Sequence, residues 1–399
     1  MGAYPLSFDF DTPVDRSGTH SEKYALRHKL FGTDAVEPLW VADMDFAAPP
    51  AVQRALAERV AHPIYGYTVV PQTVPLALAG WWARRPAWEV DPAHIRLAPG
   101  MVPTLYAAVA AFTRAGDTVI VQPPVYPPFF EAVTRQGRAL LENPLRETAD
   151  GRYAMDLEQL EALAKGGARL LLLCSPHNPV GRVWREPELR ALLDIARRHG
   201  MVILSDEIHA DLVYAPRHGA AADAPPHTPL GRLATPEDAV ITAVAPSKTF
   251  NMPGLGLSAT VTAHHASAQG LQDAFERFPV SVADPLALAA FEAAYGEGDA
   301  WLDACLGVLR ANRDALLAAA RPPRVVATAP AATYLAWLDC RGCGLDDAAL
   351  LRAWVEAGLG LSAGARFGSG GRGFMRLNFA IPPARMAAIV RSVDRFGRL

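Results

Sequence analysis

The feature that most limits the possible folds of this 399-residue chain is a repeated alternation of short apolar runs and helical stretches. The apolar runs lie at 117–126, 168–181, 201–214 and 238–251, and each ends in a polar or Pro-rich turn. The intervening segment "EPELRALLDIARRHG" has leucines at helical spacing and a terminal glycine. Strand, polar turn, helix and strand in this order are typical of βαβ units, and continuous apolar strands indicate helices on both faces. We therefore predict an α/β fold with a large, mostly parallel sheet domain.

The pattern changes near residue 290. A long helical stretch interrupted near Gly296–Gly298 leads into strand-like "RVVATAPAATYLAWLDC", and helical and strand-like segments then alternate to the end without βαβ rhythm. This part predicts a smaller α+β domain. We expect a large domain over 46–288, and a small domain formed by 1–45 together with 289–399. The Ala-, Pro- and Gly-rich segment 214–231 is expected to be a surface loop.

Composition excludes several classes of protein. A net charge of −3 favours neither nucleic acid nor an anionic membrane as a partner. No apolar run approaches the ~20 residues that span a bilayer, and the acidic N-terminus lacks the apolar core of a signal peptide, so a cytoplasmic protein is expected. The pair in "LDCRGCGLDD" has no second Cys pair with which to bind a metal, so we interpret the four cysteines as structural or incidental thiols.

Polar side chains follow three of the predicted strands, in "SPHNP", "SDEIH" and "APSKT". Because functional groups gather at the carboxyl ends of parallel strands, these side chains should meet. They are Asn178, Asp206, His209, Ser247 and Lys248. Earlier in the chain, Gly100 lies directly before the predicted helix "MVPTLYAAVAAFTRAG". A helix N-terminus that follows a glycine can bind phosphate through its free N–H groups.

Lys248 is unusual in its surroundings. The chain has four lysines, and this one is the only charged residue in "AVAPSKTFNMPGLGLSAT". Lys23, Lys29 and Lys165 are expected to be ordinary solvated lysines. A lysine in a dry pocket loses proton affinity and becomes a nucleophile toward a carbonyl. Lys248, Asp206, Asn178, the aromatic Tyr126 and a phosphate-binding helix start together match what pyridoxal phosphate requires. The lysine would bond the cofactor, and the acid would hold its pyridine nitrogen protonated.

Seven motifs then carry a resemblance that covers essentially the whole chain. They are "VADMDFAAP" (41–49), "YGYT" (65–68), "CSPHNPVGRVW" (174–184), "SDEIHADL" (205–212), "SKTFNMPGL" (247–255), "TYLAWLD" (333–339) and "RGFMRLNFA" (372–380). In this order they resemble fold-type I pyridoxal-phosphate enzymes of the aspartate aminotransferase superfamily, and within it the MalY/PatB branch of cystathionine β-lyases, or C–S lyases.

The resemblance implies a role for each candidate residue. Lys248 is the Schiff-base lysine and general base, Asp206 contacts the pyridine nitrogen, and Tyr126 stacks on the ring. The remaining cofactor-binding residues are Asn178 and His209 near the ring oxygen, and Gly100, Met101, Val102 and Ser247 at the phosphate. Arg376 is implied to clamp the substrate carboxylate, with Asn178, Asp43 and Tyr67 also near the substrate. Tyr67 would also reach the phosphate of a neighbouring subunit, which implies a homodimer with shared sites.

The sequence departs from the superfamily pattern at Ala245, where many members place a phosphate-binding serine, and at Ile381, where branch members often carry cysteine. Two reactions compete on this scaffold. A β-lyase expels a thiolate from a substrate such as L-cystathionine and yields pyruvate and ammonia, whereas an aminotransferase acting on a small amino acid, in primary or secondary metabolism, releases a keto acid. The branch resemblance favours the lyase. A cofactor-binding regulator that acts by touching a partner protein is the alternative of another class.

Overall fold

The computed structural model describes residues 8–215, 224–277 and 280–398, and the account below concerns these residues. The strands, in chain order, are β1 Glu37–Pro38, β2 Ile95–Ala98, β3 Thr118–Val121, β4 Ala139–Glu142, β5 Arg146–Glu147, β6 Tyr153–Ala154, β7 Leu170–Cys174, β8 Val202–Asp206, β9 Val240–Val244, β10 Ser258–Val261, β11 Val326–Ala327, β12 Leu335–Asp339, β13 Leu359–Gly360, β14 Ser362–Ala363 and β15 Phe374–Asn378.

The α-helices are α1 Glu22–Ala25, α2 Arg27–Phe31, α3 Pro50–Ala61, α4 Thr73–Arg84, α5 Met101–Phe112, α6 Pro128–Thr134, α7 Leu157–Lys165, α8 Glu186–His199, α9 Leu230–Leu233, α10 Pro246–Thr249, α11 His265–Glu276, α12 Pro285–Glu297, α13 Asp299–Ala319, α14 Asp347–Glu356 and α15 Pro383–Arg398. Helix α8 shows why the sequence pattern worked: its leucines are buried, and Gly200 ends it in the left-handed conformation that glycine adopts without strain.

A seven-stranded sheet forms the centre of the molecule, in the order β2-β10-β9-β8-β7-β3-β4. Strands β9, β8, β7, β3 and β4 pair in parallel, and β10 runs antiparallel to its neighbours β2 and β9. Every residue of β7 and β9 is buried, as expected for strands covered on both faces. The predicted α/β fold with a large, mostly parallel sheet is confirmed.

A second sheet has the order β11-β12-β15-β14 and is antiparallel, and α13 packs against α15 beside it. The N-terminal segment joins this part of the molecule, because β1 pairs with β13 and the Asp45 N–H donates to the Ala380 carbonyl. The division into domains of 46–288 and 1–45 plus 289–399 stays a prediction, although these contacts fit it.

The segment predicted to be a surface loop falls partly outside the described residues, which resume at Ala224. The described end of the segment is largely buried: Ala224, Thr228 and Leu230 are each less than a tenth exposed. The His227 imidazole lies 2.8 Å from the Glu207 carboxylate. The surface-loop prediction is therefore wrong for this end, because a buried carboxylate holds it. In the part of the chain that the structure describes, no helix is both long and apolar enough to cross a bilayer.

Candidate functional site

The polar ends of the parallel strands meet at one cavity of about 440 Å³. The five residues predicted to converge there all line it: Asn178, Asp206, His209, Ser247 and Lys248. They follow β7, β8 and β9, which are neighbours in the sheet and end at the same edge. Tyr126, which follows β3, and Arg376, on β15 of the second sheet, line the same cavity. The site therefore lies where the two sheets face each other.

Lys248 lies in the short helix α10, and its side chain enters the cavity. Its Nζ donates a hydrogen bond of 2.6 Å to the Ala42 carbonyl, 206 residues away in sequence. The Tyr334 hydroxyl donates to the same oxygen at 2.9 Å. Burial lowers the pKa of the Lys248 ammonium to about 8. A substantial fraction of this amine is therefore neutral near physiological pH, as a lysine nucleophile or base requires.

Asp206 is the last residue of β8 and is 3% exposed. Burial raises the pKa of its carboxyl to about 7, although the Ile208 N–H donates to it at 3.2 Å and Lys248 favours the charged form. A carboxylate in this position needs a further cationic partner to remain ionised. The site therefore presents an acid suited to a protonated ring nitrogen.

His209 lies three residues after the end of β8 and is 2% exposed. Neither of its ring nitrogens has a hydrogen-bond partner among the described residues, and burial lowers its pKa well below the usual value. The Tyr334 ring packs against it edge-on, with centroids 6.0 Å apart. Unpartnered polar atoms are costly to bury, so this neutral imidazole is expected to bind a polar group of a ligand.

Arg376 lies in the middle of β15 and is 5% exposed. Its Nη1 donates to the Asn178 side-chain oxygen at 3.0 Å, and its Nη2 donates to the Trp40 carbonyl at 2.7 Å. The Nε has no partner within the described ranges, and the guanidinium lies 4.9 Å from the centroid of the Phe367 ring. Burial lowers its pKa to about 10, so the group stays charged at neutral pH. A cation without an anionic partner suits a ligand carboxylate.

The first turn of α5 forms another side of the cavity, through Met101 and Val102. Gly100 caps this helix with φ +123°, a conformation that residues with side chains rarely adopt. No side chain caps the helix, so the N–H groups of Met101 and Val102 are available for an anion. Ser247 adds a hydroxyl at the same cavity, whereas Ala245, at the start of α10, offers none.

Three predicted residues do not line this cavity: Gly100, which precedes the first turn of α5, Asp43 and Tyr67. Asp43 lines an adjoining cavity that also contacts Tyr126 and Lys248, and its carboxylate pairs with Arg16 at 2.5 Å. Tyr67 is fully exposed, in a segment whose apolar side chains at 64–70 are exposed as well. Within a single chain, Tyr67 therefore contributes nothing to the site.

The expectation that Lys23 is solvated is wrong. Its side chain is completely buried, with Nζ 3.1 Å from the Asp45 carboxylate and 3.4 Å from that of Asp43. Arg16 also pairs with both carboxylates, so cations hold the 41–45 segment that supplies the Ala42 carbonyl to Lys248. Two carboxylates in "VADMD" were the signal that could have revealed this partner. Lys29 and Lys165 are exposed, as predicted.

The sequence analysis also missed several residues that line the cavity. They include Glu22, Trp40, Cys174, Ile208, Arg366 and Phe367. Cys174 and Ile208 belong to motifs that were identified, and their place beside functional residues was a usable signal. Trp40, Arg366 and Glu22 come from distant segments, and no local pattern marks them. Among the described residues, no group of histidines, cysteines and carboxylates could hold a metal ion.

Comparisons with known proteins agree with this geometry. The model of the aminotransferase class I and II family matches residues 38–393. The chain is 41% identical to cystathionine beta-lyase PatB of Bacillus subtilis (strain 168), over 93% of this chain and 95% of that protein. It is 34% identical to protein MalY of Escherichia coli (strain K12), over 95% and 96%. The chain belongs to the aminotransferase class I and II family.

A solved structure extends the likeness to three dimensions. The crystal structure of cystalysin from Treponema denticola, described as containing a pyridoxal 5′-phosphate cofactor, superposes with a TM-score of 0.91 at 32% identity. The match covers 98% of each chain. The similarity to the MalY/PatB branch inferred from the motifs is thus confirmed by sequence and by fold.

Proposed function

We propose that the protein is a pyridoxal 5′-phosphate-dependent carbon–sulfur β-lyase that cleaves L-cystathionine or a related cysteine S-conjugate to a thiol, pyruvate and ammonia. The observation that carries this proposal is one cavity that holds a lysine of lowered pKa, a carboxyl of raised pKa and an arginine Nε that has no partner among the described residues. The names of the relatives, cystathionine beta-lyase PatB and cystalysin, support the lyase over the aminotransferase.

The residues of the cavity fit this cofactor. Lys248 would bond its aldehyde carbon, Asp206 would face the ring nitrogen, and His209 would supply a nitrogen to the ring oxygen. The free N–H groups at the start of α5 and the Ser247 hydroxyl would hold the phosphate. The orphaned nitrogens of His209 are the strongest sign of fit, because a buried imidazole without partners is expected only where a ligand provides them.

The bound cofactor would supply an electron sink that acidifies the Cα–H bond of an amino acid. Three side chains of the protein would then have separate roles in the reaction. Arg376 holds the α-carboxylate, Asp206 holds negative charge opposite the ring nitrogen, and Lys248 Nζ takes the Cα proton. The sulfur leaves with the C–S electron pair, and hydrolysis of the remaining three-carbon fragment gives pyruvate and ammonia.

A homodimer with shared sites belongs to the same proposal. Tyr67 is fully exposed, and Ile64, Tyr65 and Val69 beside it are more than half exposed. Such an apolar patch is typical of a surface that contacts another protein, so a second copy is the proposed partner. A cytoplasmic location is also proposed, because all four cysteines are free, as is usual in a reducing compartment.

The proposal is tested by incubating the cofactor-loaded protein with L-cystathionine and no keto acid. We expect pyruvate, ammonia and thiol in equal amounts over many turnovers, because elimination returns the cofactor to its starting form. Pyruvate is measured with a coupled dehydrogenase and thiol with a colorimetric reagent. A reaction that stops after one turnover and resumes only when a keto acid is added would establish the aminotransferase instead. A protein that binds the cofactor but turns over neither type of substrate would favour the regulator.

Replacing Arg376 with lysine should raise KM for the amino-acid substrate at least about tenfold, while the bound cofactor's visible spectrum stays intact. The guanidinium can give a carboxylate two parallel hydrogen bonds, and an ammonium cannot reproduce that geometry. Steady-state kinetics on L-cystathionine provide the measurement. Arg372→Lys, an exposed substitution four residues earlier, is the matched control. Loss of the cofactor with an unchanged KM would show that Arg376 is structural.

A further inference from the structure

The rim of the cavity carries two opposite charges that the reaction described above does not use. Arg366 and Glu22 both line the cavity, and both are exposed. Arg366 lies in the turn before β15, at Gly364–Phe367, and Glu22 begins α1. Exposed residues that also line a cavity lie at its mouth, so a substrate entering the site passes both charges.

These two charges have no partner in the part of the chain that the structure describes. Within the described ranges, neither side chain makes an ion pair or a hydrogen bond, either with the other or with a third residue. A further carboxylate at the cavity, Glu131, differs because it pairs with Arg135 at 2.9 Å. Surface arginines in this chain commonly find a carboxylate, as Arg190 finds Glu186 at 2.7 Å. Arg366 and Glu22 therefore differ from these paired residues, because neither has a partner within the described ranges.

Apolar side chains line the cavity together with its two arginines, and Phe367 is part of this apolar wall. The Arg376 guanidinium lies over the Phe367 ring at 4.9 Å, and Arg366 is the residue directly before that phenylalanine. The positive charge of Arg366 is near enough to contribute to the lowered pKa of Arg376. Trp40 and Pro127 continue the apolar lining. The lining of the cavity therefore includes a buried cation, apolar side chains, and an exposed cation and anion.

We propose that Arg366 and Glu22 form a subsite for a second amino-acid group, so that the preferred substrate is a thioether with a zwitterion at both ends. Arg366 binds the distal carboxylate, and Glu22 binds the distal ammonium. The apolar wall accommodates the carbon–sulfur chain between the ends. This inference rests on the proposed lyase function, and it selects L-cystathionine-like substrates over S-alkyl cysteines, whose distal end carries no charge.

The test compares L-cystathionine with S-ethyl-L-cysteine, which has the same cysteine half and an uncharged distal end. In Arg366→Gln, the ratio of kcat/KM for L-cystathionine to that for S-ethyl-L-cysteine should fall about fivefold, mainly through KM for L-cystathionine. This is the upper range for one exposed charge pair. Glu22→Gln should lower the same ratio in the same direction, and Arg366→Lys should keep most of it, because an ammonium is still a point charge.

Matched controls are Arg372→Gln and Glu58→Gln, which remove exposed charges that do not line the cavity. Both should leave the ratio as in the wild type. A ratio unchanged in Arg366→Gln, or lowered equally by Arg372→Gln, overturns the subsite.

A binding measurement separates this inference from the proposed function. L-homolanthionine has zwitterions at both ends but no sulfur on Cβ, so it cannot undergo β-elimination, and L-methionine is its counterpart with an uncharged end. By calorimetry, the cofactor-loaded wild type should bind L-homolanthionine more tightly than L-methionine, and Arg366→Gln should remove about fivefold of that preference. Absence of pyruvate from both L-cystathionine and S-ethyl-L-cysteine would refute the lyase, whereas equal binding of L-homolanthionine and L-methionine would refute the subsite alone.

Discussion

Turnover of L-cystathionine should fall at least about 1,000-fold when Lys248 is replaced with alanine. This lysine is both the group that would bond the cofactor covalently and the base that would take the Cα proton, and general base catalysis alone commonly supplies ~100- to 10,000-fold. No other lysine can substitute for it, since Lys23 is buried in ion pairs with Asp43 and Asp45 and the other two are exposed elsewhere. Some cofactor should still bind the variant without a covalent bond.

The assignment can be checked by chemistry as well as by kinetics. Borohydride reduction of the cofactor-loaded wild type, followed by peptide mapping, should leave the cofactor attached to Lys248. Lys165→Ala is the control, because Lys165 ends α7 in an exposed position away from the cavity, and it should retain full turnover. Labelling at Lys23, Lys29 or Lys165 would end the assignment of Lys248.

Asp206→Asn should lower kcat at least about 100-fold. The substitution keeps the size and shape of the side chain and removes the charge that would face the protonated ring nitrogen. Removing one preorganised electrostatic partner in a site shielded from water typically costs 100-fold or more. Glu207→Gln is the matched control, because Glu207 is equally buried but bonds Ser205 and His227 and does not line the cavity. The control should lose less than about tenfold, and near-normal turnover in Asp206→Asn would show that another group protonates the ring.

Although Asp206→Asn should lower kcat, it should increase the thermal stability of the cofactor-free protein. Burial raises the pKa of Asp206 from its ordinary value of about 4 to about 7, so the folded state holds this proton more tightly than the unfolded state does. Stability is therefore lost as pH rises from about 4 to about 7, and the full penalty remains above that range. We expect Asp206→Asn to raise Tm more at pH 8 than at pH 4. A destabilisation that is equal at both pH values would show that the carboxylate is already compensated without the cofactor.

Much of the fold and of the candidate site could be predicted from local patterns. Continuous apolar runs predicted the buried parallel strands, and the polar turns after them predicted that Asn178, Asp206 and Lys248 would line one cavity. This prediction needed no distances, because neighbouring parallel strands end at the same edge of a sheet. The isolation of Lys248 among small residues also correctly indicated a partly buried position, where burial lowers the pKa of the amine.

Contacts between distant segments were beyond the reach of those patterns. Lys23 lies in a charged, helical stretch that is typical of a solvated surface, yet it is buried because Asp43 and Asp45 compensate its charge. The Ala42 carbonyl that receives Lys248 is 206 residues away in sequence, and a backbone oxygen carries no signature of its own. Nothing in the sequence distinguishes Arg366 from the other arginines. Only the folded structure shows that the turn before β15 places it at the cavity.

The sequence by itself determined the class of fold, the strand ends whose polar side chains line the cavity, and which of the four lysines lies there, because each depends on periodicity or on neighbours along the chain. The tertiary structure decided which charges are paired, which polar groups are left without partners, and how the second sheet closes the cavity with Arg376. Those properties depend on distances across the molecule. Burial and compensation of charge are set by the whole surroundings of a side chain rather than by its own segment.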